Sequence, residues 1–150
     1  MQITIAILEN LISDYTSRLK LIDADSFSKK PSPEKWSKKE ILGHLIDSAQ
    51  TNIRRIVVAQ YEDNPKIVYN QDQWVAISDY QHYDNADLIE LWALLNKHFC
   101  HILKNIPSGM EKRICTTEAE HTLEWLAEDY VRHLKHHMHV ILELDRVAYP

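Results

Sequence analysis

Glycine occurs only twice in this 150-residue chain, at Gly43 and Gly109, against an average usage of roughly 7%. That scarcity narrows both the folds and the functions open to it. Glycine supplies the positive-φ turns that a many-stranded β-sandwich needs at every corner, so its near absence favours long helices. A Rossmann fingerprint or a P-loop needs two or three closely spaced glycines so that the backbone can wrap a phosphate. No such segment is present, which argues against dinucleotide and Walker-type nucleotide binding.

Apolar spacing supports the helical reading. Met1, Ile5, Leu8, Ile12, Tyr15, Leu19 and Ile22 alternate steps of four and three, the signature of one apolar stripe on a helix, with Asp14, Arg18 and Lys20 left to solvent. Pro31 and Pro33 break the chain. Ser37 followed by Glu40 predicts a capping box and the start of a second helix that runs to about Tyr61. Residues 62–83 show no clean period and read as a long loop, and loops of that length are usually functional or mobile. Asp84 or Asn85 caps a third helix with the stripe Leu88, Leu91, Leu95, Phe99 and Ile102, which Pro107 and Gly109 end. A second loop leads to Thr122 and a fourth helix that reaches about Val147. No strand alternation, internal repeat or low-complexity tract stands out. Hydrophobic residues make up 45% of the chain and charged residues 26%, enough apolar matter for one domain over residues 1–150. The expected fold is all-α: a four-helix bundle with two long inter-helix loops.

The charge balance, 17 basic against 22 acidic residues for a net −5, provides no basic footprint for nucleic acid. Lys29, Lys30, Lys35, Lys38 and Lys39 form the densest basic cluster, but prolines and Glu34 interrupt it, and it reads as a solvated helix approach. No apolar run reaches the ~18 residues of a membrane span. The opening MQITIAILENLISDY meets acidic residues early and lacks the basic region and cleavage site of a signal peptide. Cys100 and Cys115 form no CxxC pair, so two free thiols in a reducing, cytoplasmic setting are expected.

Histidine is the residue in excess, with nine copies. Four lie on the fourth helix, and helical phase divides them. Asp129, Arg132, His136, His139 and Glu143 step together and are all polar, as a solvent face is. Leu126, Tyr130, His133, His137, Val140 and Leu144 share the other phase, so His133 and His137 point inward. An inward i,i+4 pair sets two imidazoles one turn apart, a spacing that suits one metal ion. Buried histidines also serve as plain hydrogen-bonding residues, and that alternative stays open. A third ligand must come from another helix, and the second offers His44 beside Ile41, Leu45 and Ser48. His98 is a weaker candidate; His82, His101 and His121 read as loop or boundary residues. The ExxH spacing from Glu118 to His121 falls at a loop edge, which speaks against a di-iron bundle. HExxH is absent, as are paired zinc-finger cysteines. Three neutral histidines with an open fourth position are the arrangement of a catalytic divalent metal.

Three segments, KPSPEKWSKKEILGHLIDSAQTNIRR, YNQDQWV and TLEWLAEDYVRHLKHHMHVI, occur in the order and context of the DinB/YfiT-like superfamily, which the chain resembles over nearly its whole length. The resemblance implies a four-helix bundle, often a homodimer, that holds a divalent metal (zinc or nickel) on His44, His133 and His137. Some relatives conjugate a low-molecular-weight thiol such as bacillithiol to a small-molecule substrate, others are thiol-dependent isomerases, and others have no known activity. Thiol transfer is therefore the leading expectation, with metal-dependent hydrolysis and non-catalytic metal or small-molecule binding as alternatives. Hydrolysis needs a general base near the metal, and no inward glutamate is evident on the fourth helix. Arg55 matches an arginine of the YfiT-type motif and is a candidate for the carboxylate of the thiol; pairing with a helix acid is the alternative. Asp72, Trp74 and Tyr80 are candidates for the pocket wall from the middle loop, with a place in the core as the alternative for Trp74. Asp47 is either an acceptor that orients a ligand histidine or a plain exposed helix acid.

Overall fold

The computed structural model describes residues 1–149. Four long helices carry the fold: α1 (Gln2–Leu19), α3 (Lys38–Val58), α5 (Asn85–Lys104) and α6 (Leu123–Ile141). Two short ones, α2 (Ala24–Ser28) and α4 (Gln71–Ser78), lie in the connections. Each long helix buries one stripe. On α1 the buried residues include Ile5, Leu8, Ile12, Tyr15 and Leu19, the stripe that the four-three spacing predicts. The start signals hold as well. Ser37 Oγ accepts from Glu40 N at 3.1 Å, and Glu40 Oε2 accepts from Ser37 N at 2.7 Å. Asp84 caps α5 and Thr122 caps α6 through the same kind of side-chain bond.

The packing is not that of a simple up-down bundle. The principal contacts run α1 to α5, α1 to α6, α3 to α5 and α3 to α6. Around the bundle the order is therefore α1, α5, α3, α6, and two of the three connections between consecutive long helices cross a diagonal. Diagonal crossings need length, and the links from α1 to α3 and from α5 to α6 supply it, although the longest link joins the adjacent pair α3 and α5. The diagonal pair α5 and α6 meets at the centre through side chains. Phe99 and Tyr130 pack edge to face with ring centroids 4.8 Å apart, and the Tyr130 hydroxyl donates to Asn96 Oδ1. Leu8, Leu45, Leu88, Trp92 and Leu134 fill the rest of a continuous apolar core.

The connections hold more structure than their sequence suggests. The segment expected as an unbroken loop contains α4 and a 3₁₀ turn at Tyr80–His82. Between α5 and α6 lies a two-stranded antiparallel hairpin, β1 (Ile114–Thr116) and β2 (Glu120–Thr122), in register Cys115 to His121. A strand of three residues is too short to show alternation, and an eight-residue helix too short to show a 3.6 period. The hairpin grips the middle connection: Ile67 N donates to Thr116 O at 2.9 Å and Thr116 N to Pro65 O at 3.0 Å. This clamp sets residues 65–69 beside the bundle.

Helix ends and faces also differ in places. α3 stops at Val58. α6 stops at Ile141 rather than near Val147, and Glu143 adopts a left-handed φ of 55°. The chain then turns back along α6: His136 Nδ1 donates to Val147 O and His139 Nδ1 to Asp145 O, both at 2.7 Å. His136 and His139 are consequently half-buried, not the open solvent face expected, and Val140 is exposed. Helical phase cannot foresee a returning strand of chain that covers a polar face. No described helix is long and apolar enough to cross a membrane.

Candidate metal centre

His44 from α3 and His133 and His137 from α6 converge where these helices pack. One ring nitrogen from each lies within 4.8 Å of the other two. The Nε2 atoms of His44 and His133 are 3.1 Å apart, and the ring centroids of His133 and His137 stand 4.6 Å apart. The i,i+4 spacing on α6 and the inward phase of His44 on α3 are sufficient to produce this meeting. His98, His101, His82 and His121 stay outside it.

Burial fixes the chemical state of the three rings. His44 is 1% exposed. Desolvation lowers the pKa of His44 and of His137 to about 4, and lowers that of His133 further because His137 and His44 stand beside it. All three imidazoles are neutral at pH 7, as metal ligands must be. Three convergent neutral imidazoles also match the donor set of an open zinc-type site. Among the described residues the buried Nδ1 of His44 and the buried Oδ2 of Asp47 have no hydrogen-bond partner, an arrangement that a cation on Nε2 of His44 would make useful.

The segment HLIDS supplies more than the candidate ligand His44. Ser48 Oγ lies 3.4 Å from His133 Nδ1. Asp47 is 1% exposed, not an exposed helix acid, and Tyr80 donates to its Oδ1 at 2.5 Å. Burial raises the Asp47 carboxyl to about 6, against the pull of that hydrogen bond. Gly43, in the interior of α3, lies against Tyr80. A Cβ built there would overlap the ring carbons of Tyr80, so only glycine lets the ring lie flat on the helix. Glycine in a helix interior costs about 1 kcal/mol relative to alanine, and here the close approach explains its presence.

His133 also forms part of the wall of a cavity of about 940 Å³ bounded by α3, residues 68–71, the hairpin turn, α6 and Tyr149. Arg55 lines it. Its Nε donates to Ile67 O at 3.1 Å and its Nη1 to Asn52 Oδ1 at 3.4 Å. Among the described residues it forms no ion pair with a carboxylate, which sets aside the pairing alternative. Asp72 and Trp74 do not reach the wall. The formation of α4 turns Asp72 out in its first turn, and Trp74 instead backs the wall residue Tyr69 with ring centroids 5.4 Å apart. Tyr80 is buried behind Asp47 and does not line the cavity.

Several wall residues escaped the sequence reading, Asp129 and Tyr149 among them. Asp129, one turn before His133, faces the cavity and accepts from Tyr149 at Oδ2 (2.8 Å) and from Arg132 at Oδ1 (3.1 Å). The Tyr149 ring packs 5.2 Å from that of His133. Asp129, expected on the solvent face of α6, faces the cavity instead; Tyr149 could not be foreseen, because only the turn at Glu143 brings it back.

Comparison with known proteins agrees with this fold. The family model described as the DinB superfamily matches residues 7–141. A protein of Oceanobacillus iheyensis, provisionally named a metal-dependent hydrolase, is 29% identical over 112 residues, which cover 73% of this chain and 64% of that one. A Halalkalibacterium halodurans protein with the same provisional name is 27% identical over 79 residues, 52% of this chain and 46% of the relative. The matches thus span less than two thirds of either relative. Among solved structures, YfiT from Bacillus subtilis, described as having an unusual four-helix bundle topology and provisionally assigned as a metal-dependent hydrolase, superposes with a TM-score of 0.84. That match covers 95% of this chain and 83% of YfiT at 22% identity. A variant of a mycothiol-dependent maleylpyruvate isomerase gives a TM-score of 0.79 over 97% of this chain and 61% of the isomerase, at 12% identity. At such identities the structural likeness is one of fold.

Proposed function

The chain belongs to the DinB superfamily, and we propose that it is a divalent-metal-dependent transferase that activates a small thiol at His44, His133 and His137. The observation that carries this reading is the pairing of functions in one cavity. The three-histidine centre borders it through His133, and Arg55 lines it with its guanidinium anchored by Ile67 and Asn52 and, among the described residues, no carboxylate of its own. An arginine held in that way is a receptor for an anionic group of a ligand. A fold neighbour is named for its dependence on the low-molecular-weight thiol mycothiol, which supports a thiol as that ligand.

A zinc or nickel ion held by the three imidazoles supplies a positive charge that favours the thiolate over the thiol near neutral pH. The chain's own residues do the rest. Burial keeps the imidazoles neutral, so they take up a cation without first losing protons. Arg55 binds the carboxylate of the thiol and fixes the direction from which sulfur arrives. The cavity admits the electrophile beside it. In the reaction the S–H bond of the thiol and the bond from carbon to the leaving group break, the S–C bond forms, and the proton that left sulfur ends on the leaving group.

Asp129 favours a second reading, hydrolysis, since a carboxylate in the cavity one turn from His133 has the position of a general base for water. Against it, Tyr149 and Arg132 occupy both oxygens. The test is conjugation of monochlorobimane by the metal-loaded protein with bacillithiol, cysteine, glutathione and coenzyme A. The expected result is turnover with at least one thiol, lost on chelation and restored by metal. Absence of thiol-dependent turnover with every member of the panel, or unchanged turnover in His137→Ala, overturns the proposal.

A further inference from the structure

The outer nitrogens of the ligand histidines differ in how they are served. His133 Nδ1 faces Ser48 Oγ, while His44 Nδ1 is buried with no partner. Three residues further along α3, the buried Asp47 has one oxygen occupied and one empty. The oxygen in use takes the Tyr80 hydroxyl, and Tyr80 comes from outside the ligand helices, from the turn between α4 and α5. Its ring reaches Asp47 only because position 43 has no side chain. Gly43, Asp47 and Tyr80 are thus one set of contacts on the turn of α3 that carries His44, and the single glycine within a helix stands next to that histidine in sequence.

We propose that Asp47 and Tyr80 are positioning residues for His44: Asp47 Oδ2 takes the Nδ1–H of His44 when Nε2 binds a cation, Tyr80 holds the carboxylate in place for it, and Gly43 admits Tyr80. The physical reason is general. A ligating imidazole that donates its other N–H to a carboxylate has its tautomer fixed and its basicity raised, and loss of such a partner typically weakens metal binding about 10–100-fold. Two buried polar atoms left empty on one helix turn are otherwise costly. The pairing gives both a use, and it makes cation affinity depend on the segment that follows α4. This inference rests on the metal-centre reading and is independent of the thiol chemistry.

Cobalt(II) and zinc affinities of the full-length protein, measured by competition with a chromogenic chelator, test it. Wild type is compared with Asp47→Asn, Tyr80→Phe and Gly43→Ala, with metal-free melting temperatures recorded alongside. The expected result is a loss of affinity of about tenfold or more for Asp47→Asn and a several-fold loss for Tyr80→Phe and Gly43→Ala. A shifted cobalt visible spectrum in Asp47→Asn should accompany these losses. A merely structural role would lower the metal-free melting temperature and leave both affinity and spectrum alone. Unchanged cobalt affinity in Tyr80→Phe and Asp47→Asn overturns the inference; if Asp47→Asn does not fold, Tyr80→Phe alone decides. Wild-type protein that binds neither ion overturns the metal-centre reading itself, a different outcome from wild-type binding that the variants match.

Discussion

His44 and His133, 89 positions apart in the chain, bring their Nε2 atoms to 3.1 Å of each other. Two neutral imidazole nitrogens at that distance can share one proton or one cation, and His137 closes the third side. The arrangement joins one ligand from α3 to two from α6 across a helix pair that packs in the core, so the centre is held by the bundle and not by a loop.

Removal of one ligand therefore acts on binding before it acts on folding. His133→Ala and His137→Ala are expected to weaken zinc or nickel binding at least 100-fold while the metal-free helical signal persists. Titration with a competing chelator, with far-ultraviolet circular dichroism of the same samples, checks this. In wild type a saturating cation raises the melting temperature, since a ligand at 1,000 times its Kd adds about 4 kcal/mol to folding stability.

Acid acts on the metal-free protein through the same rings. Their folded pKa values lie below the unfolded value of about 6.5, at about 4 for His44 and His137. Between those limits the unfolded chain binds more protons than the native one, so stability is complete above about pH 6.5 and is lost as pH falls toward 4. The raised carboxyl of Asp47 works in the opposite sense, losing stability as pH rises through about 6, but it is one group against three. Melting curves of metal-free protein at pH 7, 6 and 5 should move steadily lower. A flat profile would show that the rings are not desolvated.

Arg55→Gln is expected to raise KM for an anionic thiol tenfold or more, with kcat within about threefold. Discrimination between that thiol and its methyl ester should collapse. Steady-state kinetics with both forms separates this from general damage, because loss of the Ile67 contact alone would affect the two thiols equally.

Asp129→Asn distinguishes the two chemistries. Thiol conjugation should stay within about threefold of wild type, whereas a hydrolase that uses this carboxylate as base would lose on the order of 100-fold in turnover. Assays of both activities on one preparation decide it.

Tyr130→Phe probes the scaffold. It deletes the hydroxyl that donates to buried Asn96 and leaves an amide oxygen unserved, at a cost of about 1–3 kcal/mol. For a chain of this size each kcal/mol lowers Tm by roughly 2–4 °C, and differential scanning calorimetry reads the drop.

Most of the site could be read from the chain because its logic is helical. The capping box at Ser37 starts α3 in a phase that turns His44 inward, and the four-three rhythm of α6 places His133 and His137 together. What escaped depends on segments whose period is too short or absent. Trp74 and Asp72 missed the cavity because α4 forms within the expected loop. Tyr149 and the half-buried state of His136 follow from the left-handed turn at Glu143. The purpose of Gly43 depends on Tyr80, 37 positions away by residue number, which folds onto α3; its scarcity marked glycine as informative, but local sequence held no sign of the ring that covers it.

The proposed centre holds one divalent cation on His44, His133 and His137. Elemental analysis of protein purified without chelators and without a metal-binding tag tests it most directly. About one zinc or nickel ion per chain is expected in wild type and a residual fraction in His133→Ala. Wild-type protein without stoichiometric metal, or a His133→Ala protein with an equal content, would contradict it.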